Sequence, residues 1–142
     1  MENAEARWTA IVLAGQRPGP DPLAQAFGEE WKALVRVGGT PMVLRVVRTL
    51  LQTPAIARIV VLAQEPSVFL PILPADERLS VAISGSGISA SIRNLAGSGS
   101  APWPVLVTTA DHPLLTVEMI SDFLARVGGS DVAVAMVERQ VM

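Results

Sequence analysis

The sequence predicts an α/β fold of three layers, built around a mainly parallel sheet, and three observations lead there. Short apolar runs rich in Val and Ile recur along the chain, as in "TAIVLA" (9–14) and "ARIVVLA" (57–63). Segments with apolar residues at helical spacing lie between such runs. Half of the 142 residues are hydrophobic, yet the aromatics are three Trp, three Phe and no Tyr. The core is therefore aliphatic, which suits parallel strands buried on both faces better than an antiparallel sandwich. Strands that alternate with helices imply right-handed βαβ crossovers in one sheet.

The first strand, 9–14, ends at Gly15, as a buried strand bounded by a turn residue should. "PMVLRVVRTLLQ" (41–52) places apolar residues at 42, 43, 46, 47, 50 and 51, with Arg45 and Arg48 between them. That spacing predicts a helix, with Pro41 suited to its first turn. A second strand at 57–63 repeats the texture of the first, and "RLSVAIS" (78–84) is a weaker third. "SASIRNLAG" (89–97) reads as a short helix closed by Gly97, and "WPVLVTTA" (103–110) as the fourth strand. "TVEMISDFLARVGG" (116–129) predicts a helix with Thr116 as its N-cap and Gly128 past its end. "DVAVAMVE" (131–138) predicts a fifth strand, and an exposed last strand can pair with another copy, so a homodimer is an expected partner state. There is no internal repeat, and "GSGS" (97–100) is a loop rather than a linker, so residues 1–142 are expected to form a single domain. The chain stops on or just after that last strand with no helix to cover it, which predicts a fold interrupted at its C-terminus.

Composition narrows the function. A formal net charge of −2 argues against a nucleic-acid binder, which carries a basic stripe. The lack of cysteine excludes disulfides, thiolate metal sites and a cysteine nucleophile. "MENAEARW" has no apolar stretch to serve as a signal peptide, and no apolar run reaches the roughly 20 residues of a membrane helix. The expectation is a soluble, cytoplasmic protein without membrane or nucleic-acid partners. Of the 11 basic residues one is a lysine, Lys32, and the chain has a single histidine, His112.

Ligands of open parallel sheets bind beyond the carboxyl ends of the strands, so the residues that follow each strand are the candidates. "AGQRPG" follows the first strand. It offers backbone N–H groups beside Gly15 and the Arg17 guanidinium, both suited to phosphate, although a plain strand exit reads the same. It is neither GxxxxGK[ST] nor GxGxxG, since Gln16 follows Gly15 and Pro18 blocks a direct run into a helix. "SGSGISASIRN" follows the third strand and puts Ser84, Ser86, Ser89 and Ser91 at a helix entry. Hydroxyls and free N–H groups there suit an anion or a base edge, or simply cap the helix. "VLVTTADHPLLT" delivers Asp111 directly after the fourth strand. A carboxylate there can ligate Mg²⁺ beside substrate phosphates, or merely cap the turn before Pro113. Lys32 sits in a loop or short strand ahead of the first clear helix, flanked by apolar residues that fix its position. Its ammonium is a compact charge suited to phosphate or to solvent. His112 has no partner in the sequence and reads as structural or supporting.

These stretches together resemble the MobA-like NTP transferases, a nucleotidyltransferase family with a Rossmann-like, glycosyltransferase-A-like fold of the nucleotide-diphospho-sugar transferase type. It includes molybdenum-cofactor guanylyl- and cytidylyltransferases and sugar-phosphate nucleotidylyltransferases. Leu13, Ala14, Gly15 and Arg17 match the family's opening loop, with Gln16 in place of its second glycine. Lys32, Leu34, Val37, Gly39, Pro41 and Met42 match its K-x-L-x-x-V-x-G-x-P-M segment, and Asp111 and Pro113 its D-x-P turn. The resemblance implies that Leu13, Ala14, Gly15 and Gln16, with Ser89 and Ser91, bind the nucleotide. Arg17 and Lys32 would then face its phosphates as catalytic groups, and Asp111 would be both catalytic and the Mg²⁺ ligand. It implies transfer of NMP from an NTP to a phosphorylated acceptor, molybdopterin or a sugar or alcohol phosphate, with release of pyrophosphate. A non-catalytic nucleotide-binding or regulatory module is the alternative, distinguished by the absence of pyrophosphate release.

Overall fold

β1 (Trp8–Leu13) is the strand on which the sheet is built, because it is paired along both edges. The computed structural model describes residues 7–85 and 87–136. On one side β1 pairs in parallel with β4 (Ile56–Ala63), which in turn pairs in parallel with β5 (Leu79–Ile83). On the other side it pairs in parallel with β6 (Val105–Thr109). The order is β5-β4-β1-β6, so the chain winds outward from β1 in one direction and then crosses back to its other edge. All four carboxyl ends lie on one rim of the sheet, as the sequence predicted.

Alternation along the strands divides the core into two faces. Ala10, Val12 and Ala14 join Ile59, Val61 and Ala63 beneath α2 (Met42–Leu51), where Val43, Val46, Val47 and Leu50 are buried. α5 (Val117–Arg126) adds Ile120 to the same face. Ile11, Val60 and Leu62 point the other way, against Leu95 of α4 (Ile88–Leu95) and Ala101. The result is the three-layer, parallel, Rossmann-like α/β arrangement that the texture of the strands demanded.

The segment from β1 to α2 holds more structure than its sequence shows. α1 (Pro22–Ala26) begins at Asp21, whose side chain accepts from the N–H groups of Leu23 and Ala24 at 3.0 Å each, with Pro22 in the first turn. Five residues are too few for a readable period, so this helix was hidden in what the sequence presents as loop. Lys32–Leu34 form a single 3-10 turn. β2 (Arg36–Val37) and β3 (Thr40–Pro41) then make an antiparallel hairpin. Gly38 and Gly39 form its two-residue turn with φ of +59° and +81°, backbone that side-chain-bearing residues rarely adopt. The glycine and proline of the "VGGTP" motif thus have a structural cause. They fold the chain back so that α2 starts beside the Lys32 turn, with Met42 N–H donating to Val35 O. Pro41 is the N-cap of α2 rather than part of its first turn.

Two further differences stand out. α3 (Pro66–Phe69), followed by a 3-10 turn at Leu70–Ile72, covers the edge of the sheet after β4. It inserts the buried Phe69, whose ring meets that of Trp31 edge to face at 6.3 Å. The expected fifth strand is not formed over 131–136, and 137–138 lie outside the described residues. Val132, Val134 and Met136 are strongly exposed, and without a partner ladder an alternating pattern alone does not make a strand. The homodimer expected through that strand loses this basis.

Phe69 anchors the element that flanks Lys32, so Phe69→Ala should lower unfolding free energy in denaturant by about 3–5 kcal/mol. A loss under about 1 kcal/mol would contradict its place in the core.

Candidate functional site

The strand order reverses between β1 and β6, and at such a switch point the loops leaving the two strands diverge and open a crevice. A cleft of about 910 Å³ lies there. Its floor is the ends of β1 and β6, from Leu13 to Gly15 and from Thr109 to Asp111, and Arg17 and Lys32 stand along it. Its far wall is the loop after β5, with Ser84, Gly85, Gly87 and Ile88. A shallower pocket of about 520 Å³ adjoins it on the other side of Gln16 and Arg17.

Lys32 and Asp111, 79 positions apart, meet in this cleft. Lys32 Nζ donates to Asp111 Oδ2 at 2.8 Å, and Thr109 Oγ1 donates to the other carboxylate oxygen. The Lys32 bond, aided by that from Thr109, holds the Asp111 carboxyl below the usual carboxylate range. The same bond from Lys32 to Asp111 holds the ammonium above the ordinary lysine value, against the opposing pull of burial. The side chains are 34% and 41% exposed, so the pair remains open to solvent and to a ligand. Thr109 was not singled out from the sequence. Its signal was the period of two, which puts residues 109 and 111 on one side of the exit from β6.

Gly15 lies at the lip of the cleft. A Cβ built on it would meet Gln64 Oε1 at 3.5 Å, an ordinary contact, so the fold itself does not require glycine here. Among the described residues its N–H donates to no protein acceptor. The Arg17 guanidinium is exposed and forms no ion pair among the described residues. Gln16 is occupied differently. Its amide bridges Glu30 O and Lys32 N, at 3.1 and 2.9 Å, while its backbone N–H and C=O are bound by the Gln64 side chain.

The serine-rich loop meets the cleft through Ser84, Gly85, Gly87 and Ile88. Ser91 is buried, and its Oγ accepts from Gly85 N–H at 2.8 Å, pinning the loop to α4. Ser89 is exposed; neither it nor Ser91 lines the cleft. Ser86 lies outside the described residues. His112 is exposed and turned out of the cleft lining, its carbonyl accepting from Leu115 N–H. Among the described residues no three His, Cys, Asp or Glu side chains gather as a metal cage. No helix among them is long and apolar enough to cross a membrane.

Comparison with known proteins follows the same lines. A hypothetical transferase of Thermus thermophilus is 29% identical with a TM-score of 0.66, over 87% of this chain and 48% of that one. The 4-diphosphocytidyl-2C-methyl-D-erythritol synthase of Anaerococcus prevotii gives 0.67 at 14% identity, over 96% of this chain and 61% of that one. A CMP:2-keto-3-deoxy-manno-octonic acid synthetase complexed with CTP gives 0.65 at 14% identity, over 87% and 48%. At 14% identity the last two show the fold alone. The chain spans between about half and three fifths of the length of these structures. No curated protein matches it. The model of the MobA-like NTP transferase domain matches residues 10–142, nearly the whole sequence and every loop of the cleft, and the chain therefore belongs to that family.

Proposed function

We propose that the cleft binds a nucleoside triphosphate with Mg²⁺, and that the chain serves transfer of its NMP unit to a phosphorylated acceptor. The observation that carries this reading is the Lys32–Asp111 pair, set at the switch point beside the open N–H of Gly15. Phosphoryl chemistry of this kind needs charge neutralisation and in-line placement more than a protein nucleophile. An oxygen of the acceptor phosphate bonds to the α-phosphorus as the bond to the bridging oxygen breaks, and pyrophosphate leaves. In this reading Gly15 N–H and Arg17 bind the outgoing phosphates, and Lys32 turns its ammonium to the same charge. Leu13 and Ala14 bring backbone against the nucleoside, with the loop of Ser84–Ile88 opposite. Ser89 and Ser91 sit behind that loop, Ser91 as its anchor. Asp111 is the carboxylate that would hold Mg²⁺, a hard cation that takes one or two carboxylates together with phosphate oxygens and water. One carboxylate and one hydroxyl in a polar cleft fit that demand. Mg²⁺ there supplies neutralisation of charge on the reacting phosphates. Molybdopterin, a sugar phosphate and an alcohol phosphate are the acceptor classes in view, and a cytoplasmic location is part of the proposal because NTP is the donor.

A second reading, a nucleotide-binding module without turnover, is favoured by one fact. Among the described residues Asp111 belongs to no group of three or more His, Cys, Asp or Glu side chains placed to hold a metal. Release of pyrophosphate on adding an acceptor separates the two.

Calorimetric titration with the four NTPs and Mg²⁺ tests the reading, and absence of binding by all four sinks it. Asp111→Asn should abolish the Mg²⁺-dependent part of NTP affinity while changing stability by about 1 kcal/mol or less, since half-exposed ion pairs contribute little. Gly15→Ala should leave the thermal midpoint within a few degrees of the parent, yet weaken NTP at least about tenfold by pushing the phosphates away. Unchanged affinity in that variant would show that the ligand does not approach this backbone.

The pair also sets a pH signature. The contribution of Asp111 is present above the ordinary carboxylate pKa and is lost as pH falls through its lowered value. The contribution of Lys32 is present below the ordinary lysine pKa and is lost as pH rises through its raised value. The stability difference between the parent and Lys32→Met should hence be small and constant from about pH 5 to 9, and shrink in more acidic solution. Denaturant unfolding across that range reads it directly.

A further inference from the structure

Nothing in the proposed function uses Gln64, the first residue after β4, yet it holds the loop that carries Gly15. We propose that Gln64 is a positioning residue. Acting through Gln16, it fixes the β1 exit loop and the Lys32 turn relative to the phosphates of a bound NTP. The inference rests on the nucleotide reading above and adds a residue to it.

The backbone ladder between β1 and β4 ends where Ala14 N–H donates to Leu62 O. Beyond that point a side chain takes over. The Gln64 amide accepts from Gln16 N–H at 3.1 Å and donates to Gln16 O at 2.7 Å, both contacts that a paired strand would make with its own backbone. A side-chain amide in this role keeps the loop in register while the backbone turns into the cleft. Gln16 repeats the device one step further. Its amide donates to Glu30 O and accepts from Lys32 N–H, straddling Trp31 as a strand neighbour would. Lys32 then reaches Asp111, and Thr109 completes the path. A continuous run of hydrogen bonds therefore crosses the mouth of the cleft from the end of β4 to the end of β6.

Energetics point to position rather than stability. Gln64 is exposed and Gln16 half-buried, so either amide can be hydrated when its partner is removed. Net contributions of such bonds are small, and three of the four lie at exposed positions. The core lies on the other side of this loop. What the amides control is where Gly15 N–H and Lys32 stand.

The test compares Gln64→Met and Gln16→Met with the parent, in the whole chain. Met keeps length and bulk and removes the hydrogen bonds. Affinity for each Mg²⁺–NTP and for the corresponding monophosphate is measured by calorimetry. Amide hydrogen exchange at Lys32 is followed in the absence of nucleotide. The expected result is about a tenfold loss for the triphosphate, little change for the monophosphate, an unchanged thermal midpoint, and faster exchange at Lys32 even when the residue replaced is Gln64. Equal losses for triphosphate and monophosphate, or an unchanged triphosphate affinity, would overturn the proposal. If the parent binds no nucleotide, the functional reading fails instead, and the exchange measurement decides the coupling alone. Unaltered Lys32 exchange in Gln64→Met then rejects it.

Discussion

The site depends on β1 being paired in parallel along both edges. With β4 on one side and β6 on the other, β1 is fully buried over Ala10–Val12, and no freedom of register remains. Parallel pairing sends every carboxyl end to one rim, and the reversal of order on the two sides of β1 separates the exit loops there. A cleft between β1 and β6 is the geometric outcome. Lys32 and Asp111 come within 2.8 Å because the elements that carry them leave neighbouring strands at the same rim.

Given that frame, the local devices have a clear division of labour. Two positive-φ glycines close the β2–β3 hairpin and bring the start of α2 back beside the Lys32 turn. Phe69 under Trp31 supplies the apolar backing for the 3-10 turn that begins at Lys32. Ser91 ties the β5 exit loop to α4, as Gln64 ties the β1 exit loop to β4. In each case a side chain immobilises backbone near the cleft, whose lining carries four charged residues, Arg17, Asp21, Lys32 and Asp111. Such fixed dipoles suit an anionic ligand because they need not reorganise when it arrives.

The strands were legible because burial on both faces leaves long apolar runs, and α2 and α5 because their periods are long enough to read. The motif resemblance put Lys32 and Asp111 in one site but did not pair them with each other, and no local pattern links positions 79 apart. α1 and α3 were hidden by their length of five and four residues, although Asp21-Pro22 is a cap signal in hindsight. Val132, Val134 and Met136 misled because alternation records a capacity to pair and not the presence of a partner. Gln64 was invisible for a different reason. A glutamine after a strand has no sequence signature when its role is to imitate the backbone of a strand that has ended.

The resting state of the cleft bears on how a charged ligand enters it. In the free chain Asp111 has both oxygens satisfied by Lys32 and Thr109, so neither charge stands uncompensated. A phosphate chain accompanied by a divalent cation brings one partner for each member of the pair. Lys32 can pass from a carboxylate to a phosphate, and Asp111 from an ammonium to a cation, so that each keeps a partner of opposite charge. The pair is half-exposed, so parting it costs about 1 kcal/mol at most. Phosphate without a cation would leave Asp111 facing like charge, and a cation without phosphate would meet the Lys32 ammonium. The electrostatics of this single contact therefore favour the two ligands together over either one alone.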